Sequence, residues 1–154
     1  MKARLDYAKV SPKALQAMFG LQAYVNRSGL EHGLLELVKM RASQLNGCAY
    51  CLDMHSKDAR AAGETEQRLY LLDAWREAPF YTPRERAALA WTEAVTRVDR
   101  GHVPDAVYAD AREHFTEQEL VDLTLAVVAI NGWNRIAIAF RAEAGSYQPA
   151  RVAS

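Results

Sequence analysis

The chain has 154 residues, half of them hydrophobic and a quarter charged, a composition that fits one folded domain over residues 1–154 and excludes general disorder. Nineteen basic residues balance nineteen acidic ones, so the charge points to neither a nucleic-acid binder nor a polybasic membrane-surface protein. The two cysteines, Cys48 and Cys51, are too few and too close together for a secreted disulfide framework.

The punctuation along the chain is helical. The segment from Met1 to Leu15 lacks the long apolar run of a signal peptide, and cytoplasm is the expected compartment. Ser11 followed by Pro12 reads as an N-cap with proline in the first turn of a helix that Gly29 ends. A second helix is predicted from about Glu31 to Asn46, with Asn46–Gly47 as its stop because both residues tolerate the left-handed conformation. A third runs from Cys48 to Gly63 and a fourth from Glu64 to Trp75. Thr82-Pro83-Arg84-Glu85 opens a fifth, with Thr82 and Glu85 as a capping box, and it reaches about Val98. A short helix spans about Pro104 to Phe115, and Thr116 with Glu119 opens a last long one to about Ala144.

Leu120 to Ile130 is apolar nearly all round, so this last helix is expected to be the central one of the core. The most apolar stretch, Leu123 to Ile130, is too short to span a bilayer. Trp133 reads first as a core or interface residue, less as a ligand contact. The tail from Gly145 to Ser154 is expected to be loose. No hairpin dipeptide lies between alternating apolar runs, which leaves an all-α bundle of about six to seven helices.

The chemistry concentrates between Glu31 and Gly63. Cys48 and Cys51 form a C-x-x-C, and His55 follows four residues later; offsets of 0, 3 and 7 share one helical face, so two sulfurs and an imidazole can meet in one pocket. The pair begins a helix, where unpaired amides favour thiolate. On the preceding helix Glu36 and Ser43 share a face, and a reversal at Gly47 would bring Glu36 toward the sulfurs. A carboxylate and an imidazole beside a thiol pair can take and supply protons.

Three readings stay open on spacing: a redox-active dithiol, a zinc site using Cys48, Cys51, His55 and Glu36, and two buried cysteines that merely pack. Haem attachment is excluded because Leu52, not histidine, follows Cys51. A thioredoxin fold is disfavoured because no strand precedes the motif.

Glu36, Cys48 twelve residues on, Cys51 and His55, with the surrounding Lys39, Arg41, Ser43 and Asn46, resemble the AhpD-like alkylhydroperoxidase branch of the carboxymuconolactone decarboxylase superfamily. The resemblance implies an AhpD-like all-α fold, assembly into a homotrimer or homohexamer, and reduction of peroxides. It implies a thiol reductant, a lipoyl-bearing or thioredoxin-like protein, and no metal or other cofactor. It makes Glu36, Cys48, Cys51 and His55 a proton relay and dithiol, with Cys51 attacking peroxide and Cys48 resolving. The helix-dipole argument alone would favour Cys48 as the attacker. The best-studied members carry a histidine between the cysteines, where Ala49 and Tyr50 stand here. The decarboxylase branch lacks the cysteine pair, so lactone decarboxylation is not implied. A redox- or zinc-responsive interaction module and a disulfide reductase without peroxide preference are the alternatives. His32, His102 and His114 read as solvated, and Lys39 and Arg41 as solvated or intersubunit ion pairs unless they face the thiols.

Overall fold

The computed structural model describes residues 2–149; the end of the expected loose tail, residues 150–154, lies outside them. Eight α-helices and one 3-10 turn, with no strand, make up the described residues: α1 (Tyr7–Val10), α2 (Pro12–Val25), α3 (His32–Asn46), α4 (Ala49–Ala61), α5 (Glu66–Leu71) running into the turn Leu72–Ala74, α6 (Pro83–Thr96), α7 (Asp105–His114) and α8 (Glu117–Phe140).

Both predicted capping boxes form. Thr82 and Thr116 accept from the backbone N–H of Glu85 and Glu119, whose carboxylates accept in return from the cap amides. Gly47 closes α3 in the left-handed region at φ 67°. Elsewhere the ends differ from expectation. Ser11 makes no side-chain cap, because it also terminates α1, a short helix that carries no apolar periodicity and was not expected. The second predicted helix boundary, Gly29, lies beyond the real end at Val25; residues 26–28 form turns closed by Asn26, Arg27 and Ser28 amides. The last helix stops at Phe140 rather than Ala144, where Arg141 takes φ 56° and the Ala142 amide bonds back to the Ala137 carbonyl. A left-handed stop at arginine leaves no glycine signal to read.

The most enclosed helix is α3, in which every residue from Leu34 to Ser43 is buried, including Glu36, Lys39 and Arg41. The last helix, expected to be central, shares that place, since α8 packs against α2, α3, α4, α6 and α7. Leu123, Val127 and Ile130 of α8 do fill the core, but Val121 and Val128 are exposed on its other face. By length and composition α8 could cross a membrane; here it is a packed helix against α2, α3 and α6. Gly132 lies inside it, where a Cβ would come within 2.9 Å of Met18 Cε, so its missing side chain lets α2 and α8 approach. The apolar core continues through Leu35, Val38, Ala88, Trp91 and Phe115. A second cluster packs Leu37 and Leu89 against Leu72 and Trp75.

Candidate active site

The reversal at Gly47 lays α4 against α3 and sets the two cysteines at the start of α4. Cys48 is the N-cap, and Cys51 and His55 follow one and two turns later on the same face. The sulfurs are 2.9 Å apart, both thiols are free, and both residues are buried. His55 Nδ1 lies 3.0 Å from Glu36 Oε2 across the α3–α4 contact, and Lys39 Nζ donates to Glu36 Oε1 at 2.7 Å. The structure therefore gathers all four predicted residues into two adjoining pairs, Cys48–Cys51 and Glu36–His55.

The charges follow from these contacts. The Cys51 thiol donates to the Cys48 sulfur and, against the effect of burial, holds the Cys48 thiol down at about 7, helped by the amides of residues 50 and 51 at the helix start. The same contact together with burial pushes the Cys51 thiol well up. Burial alone would raise Glu36, but the His55 hydrogen bond and the Lys39 charge outweigh it and hold the carboxyl at about 2. Glu36 is thus ionised at neutral pH and Lys39 is its counterion. Lys39 is buried within the chain, which corrects its reading as a solvated or intersubunit residue. Arg41, two positions on, points instead at α6 and the 3-10 turn, donating to Glu93 and Asp73.

A cavity of about 390 Å³ opens beside the pairs. Its reactive end holds Cys51, His55, Glu36, Lys39 and Asp58, and its apolar wall is built by Tyr7, Leu15, Phe19, Met54 and Trp133. Of the two cysteines it is Cys51 that lines the cavity; Cys48 packs in a cluster with Ala42, Ile130 and Ala137. Trp133, tilted against Phe19 at 5.2 Å, is a cavity wall, a role its sequence context did not reveal.

His32 is exposed yet brings Nε2 to 3.9 Å from Glu36, nearer the site than its bland reading allowed; His102 sits exposed in a loop. The described part of the tail is tied to α4 rather than loose. The Gly145 amide donates to Asp53, Lys57 to the Tyr147 carbonyl, and the Tyr147 hydroxyl to Asp58 at 2.7 Å.

The donor atoms of Glu36, His55 and Asp58 lie within 4.8 Å of one another. That cluster differs from the sequence-derived zinc set, since neither sulfur joins it and the Lys39 ammonium already holds Glu36. The residues fit a carboxylate neutralised by the Lys39 ammonium better than a metal.

The model of the carboxymuconolactone decarboxylase family matches residues 12–94, which include α3, α4 and all four predicted residues. The chain belongs to this family. Within it the chain is AhpD-like. It is 45% identical over 146 residues to the uncharacterised protein YdfG of Bacillus subtilis, covering 95% of this chain and 99% of that one. A crystal structure of an Agrobacterium tumefaciens protein of unknown function, proposed to serve as an antioxidant-defence AhpD, superposes with a TM-score of 0.92 at 47% identity, over 95% of this chain and all of that one. The debrominase Bmp8 shares the fold with a TM-score of 0.80 at 19% identity, over 90% of this chain and 74% of that one. The carboxymuconolactone decarboxylase fold therefore carries more than one chemistry, and only the site can decide this chain's own.

Proposed function

We propose that the chain is a thiol-dependent peroxidase that reduces alkyl hydroperoxides or hydrogen peroxide with Cys48 and Cys51. The observation that carries the reading is that Cys51 lines a cavity together with His55 and Glu36 while the Cys48 sulfur waits 2.9 Å behind it. In the resting site Cys48 is the thiolate and Cys51 the thiol. The Cys51 proton passes to Cys48, and the Cys51 thiolate attacks the O–O bond of the peroxide. Cys51 becomes a sulfenic acid, the O–O bond breaks, and His55, oriented by Glu36, protonates the departing alkoxide. Cys48, giving its proton back to His55, then displaces the sulfenic oxygen as hydroxide, which takes a proton from solvent and leaves as water; a disulfide remains. A dithiol reductant, a lipoyl-bearing or thioredoxin-like protein, returns both thiols and is itself oxidised to a disulfide. The exposed Val121 and Val128 on α8 support association into a homotrimer or homohexamer. The cycle suits the cytoplasm, where thiols are kept reduced.

The test is a free-thiol count and intact mass before and after one equivalent of cumene hydroperoxide. Loss of both thiols with a mass decrease of about two hydrogens is expected. Cys51→Ser should abolish peroxide consumption, and full activity in that variant would remove Cys51 as attacker. Glu36→Gln should slow turnover, and an unchanged rate would exclude Glu36 from the relay. A disulfide reductase without peroxide preference is the second reading, favoured by a Cys48 thiol held near neutrality. Thiols that survive peroxide but exchange rapidly with a small disulfide would select it.

A further inference from the structure

Glu36 stands on α3, and Cys48, Cys51 and His55 stand on α4 or its N-cap, but the sulfurs have a third neighbour. Ile130 and Ala137 of α8 pack in one cluster with Cys48 and Cys51, and Asn134 lies between them on the same helical face. Its side chain has no access to solvent. A buried carboxamide must satisfy one oxygen and two N–H groups from within the protein.

The oxygen accepts from Asn46 Nδ2 at 2.8 Å, and one N–H donates to Ser43 Oγ at 3.0 Å. Asn46 spends its other N–H on Asn131 Oδ1 at 3.0 Å, which also accepts from Arg135 Nη1 at 2.9 Å. Asn131 is itself held through Nδ2 by Thr96 Oγ1 and the Val127 carbonyl, both at 2.9 Å. The relay leaves no freedom for Asn134 to turn over, because its nitrogen would then face the Asn46 nitrogen, donor against donor. The second Asn134 N–H remains, on the helical face whose Ile130 and Ala137 pack against Cys48 and Cys51. Both thiols are drawn toward the charged form by an Asn134 hydrogen bond.

We propose that Asn134 is the thiolate-binding residue of the site, its fixed N–H donating to the dithiol sulfur that carries the charge, with Asn46 and Ser43 as positioning residues. The proposal rests on the dithiol reading and adds to it a residue from a helix the motif does not contain. A donor shared by both sulfurs stabilises negative charge on either one. It thus stays with the charge as it passes from Cys48 to Cys51, favouring neither sulfur and needing no backbone movement.

The experiment is a pH titration of thiolate absorbance near 240 nm in the reduced full-length protein, with Asn134→Ala and Asn134→Asp beside wild type and thermal melts as a check of folding. Loss of one hydrogen bond to a charged sulfur should move the first thiolate transition up by about one to two pH units, a ten- to hundredfold fall in the thiolate-to-thiol ratio at a given pH. Asn134→Asp should move it at least as far as Asn134→Ala, since it places a carboxylate where the donor was. A folded Asn134→Ala protein whose transition stays within about 0.3 pH units of wild type would overturn the proposal. If both Asn134 variants fail to fold, Asn46→Ser, which frees the carboxamide without touching the sulfurs, decides in the same way: an upward shift supports the assignment and an unmoved transition refutes it. Peroxide takes no part in the titration, so a protein inert to peroxide would sink the peroxidase reading and leave this test standing.

Discussion

Glu36→Gln tests the electrostatics of the site most directly. The Glu36 side chain is 4% exposed, with Lys39 Nζ at 2.7 Å and His55 at 3.0 Å. Its carboxyl is held at about 2 rather than the ordinary 4.5, because those two partners outweigh burial. A carboxyl so depressed contributes about 3 kcal/mol to folding at pH 7. The folded value lies below the unfolded one, so the contribution is complete above pH 4.5 and is lost as pH falls through 4.5 toward 2. At pH 3.5 about 2 kcal/mol should remain. Glutamine keeps the shape but leaves the Lys39 ammonium buried without a counterion, a change that costs about 3–5 kcal/mol where one partner of a buried pair is removed. A domain of ordinary stability, about 5–15 kcal/mol, survives that loss. Urea unfolding of wild type and Glu36→Gln at pH 7, 5 and 3.5 should show a gap of about 3 kcal/mol that narrows by about 1 kcal/mol at the lowest pH. A gap below about 1 kcal/mol at pH 7, or one unchanged at pH 3.5, would refute the reasoning.

Three further expectations concern other parts of the molecule. In Cys51→Ala the thiol that donates to the Cys48 thiolate is gone, so its absorbance transition should rise from about 7 toward the ordinary 9.0; a transition still at 7 would place the stabilisation elsewhere. Trp133→Ala removes a wall of the cavity and should lower kcat/KM for cumene hydroperoxide about tenfold while sparing hydrogen peroxide, and equal losses on both substrates would deny Trp133 a role in substrate fit. Thr116→Ala removes the cap of α8 at an exposed position and should cost about 1 kcal/mol in a thermal or urea melt, with no effect on the thiol titration.

What the sequence made legible is local. The capping boxes at Thr82 and Thr116, the stop at Gly47 and the shared face of Cys48, Cys51 and His55 are each set by residues within two turns of one another, and each appears in the structure. The parts that escaped depend on segments far apart in the chain. Lys39 reads as a surface lysine until α4 covers it, and its ion pair with Glu36 is then enclosed. Asn134 lies 83 residues beyond Cys51 and Trp133 one fewer, so nothing near the motif announces either; only the packing of α8 across α3 and α4 brings them in. The Asn131–Gly132 dipeptide looks like the Asn46–Gly47 stop but continues a helix. Asn131 bonds back to the Val127 carbonyl and across to Thr96, while Gly132 serves the contact with Met18. The same two residue types thus end one helix and run through another, according to what surrounds them.

The division between the two cysteines bears on how reactivity is controlled. Cys48 has the helix-terminal amides and the lower pKa, yet it is walled in by Ala42, Ile130 and Ala137. Cys51 lines the cavity, yet its proton is held in the contact with Cys48. A thiolate open to the cavity at all times would invite indiscriminate oxidation and alkylation. In the proposed cycle the charge is kept on the sulfur that does not line the cavity and is transferred across 2.9 Å to the cavity-lining sulfur when substrate is in place. On this account the rate depends on the difference between the two thiols rather than on either alone, since raising both together leaves the transfer unchanged. A substitution that stabilises charge on Cys51 selectively should speed attack even as it lowers the resting thiolate at Cys48. The helix-dipole argument and the resemblance, which favour opposite sulfurs, then describe two stages of one reaction.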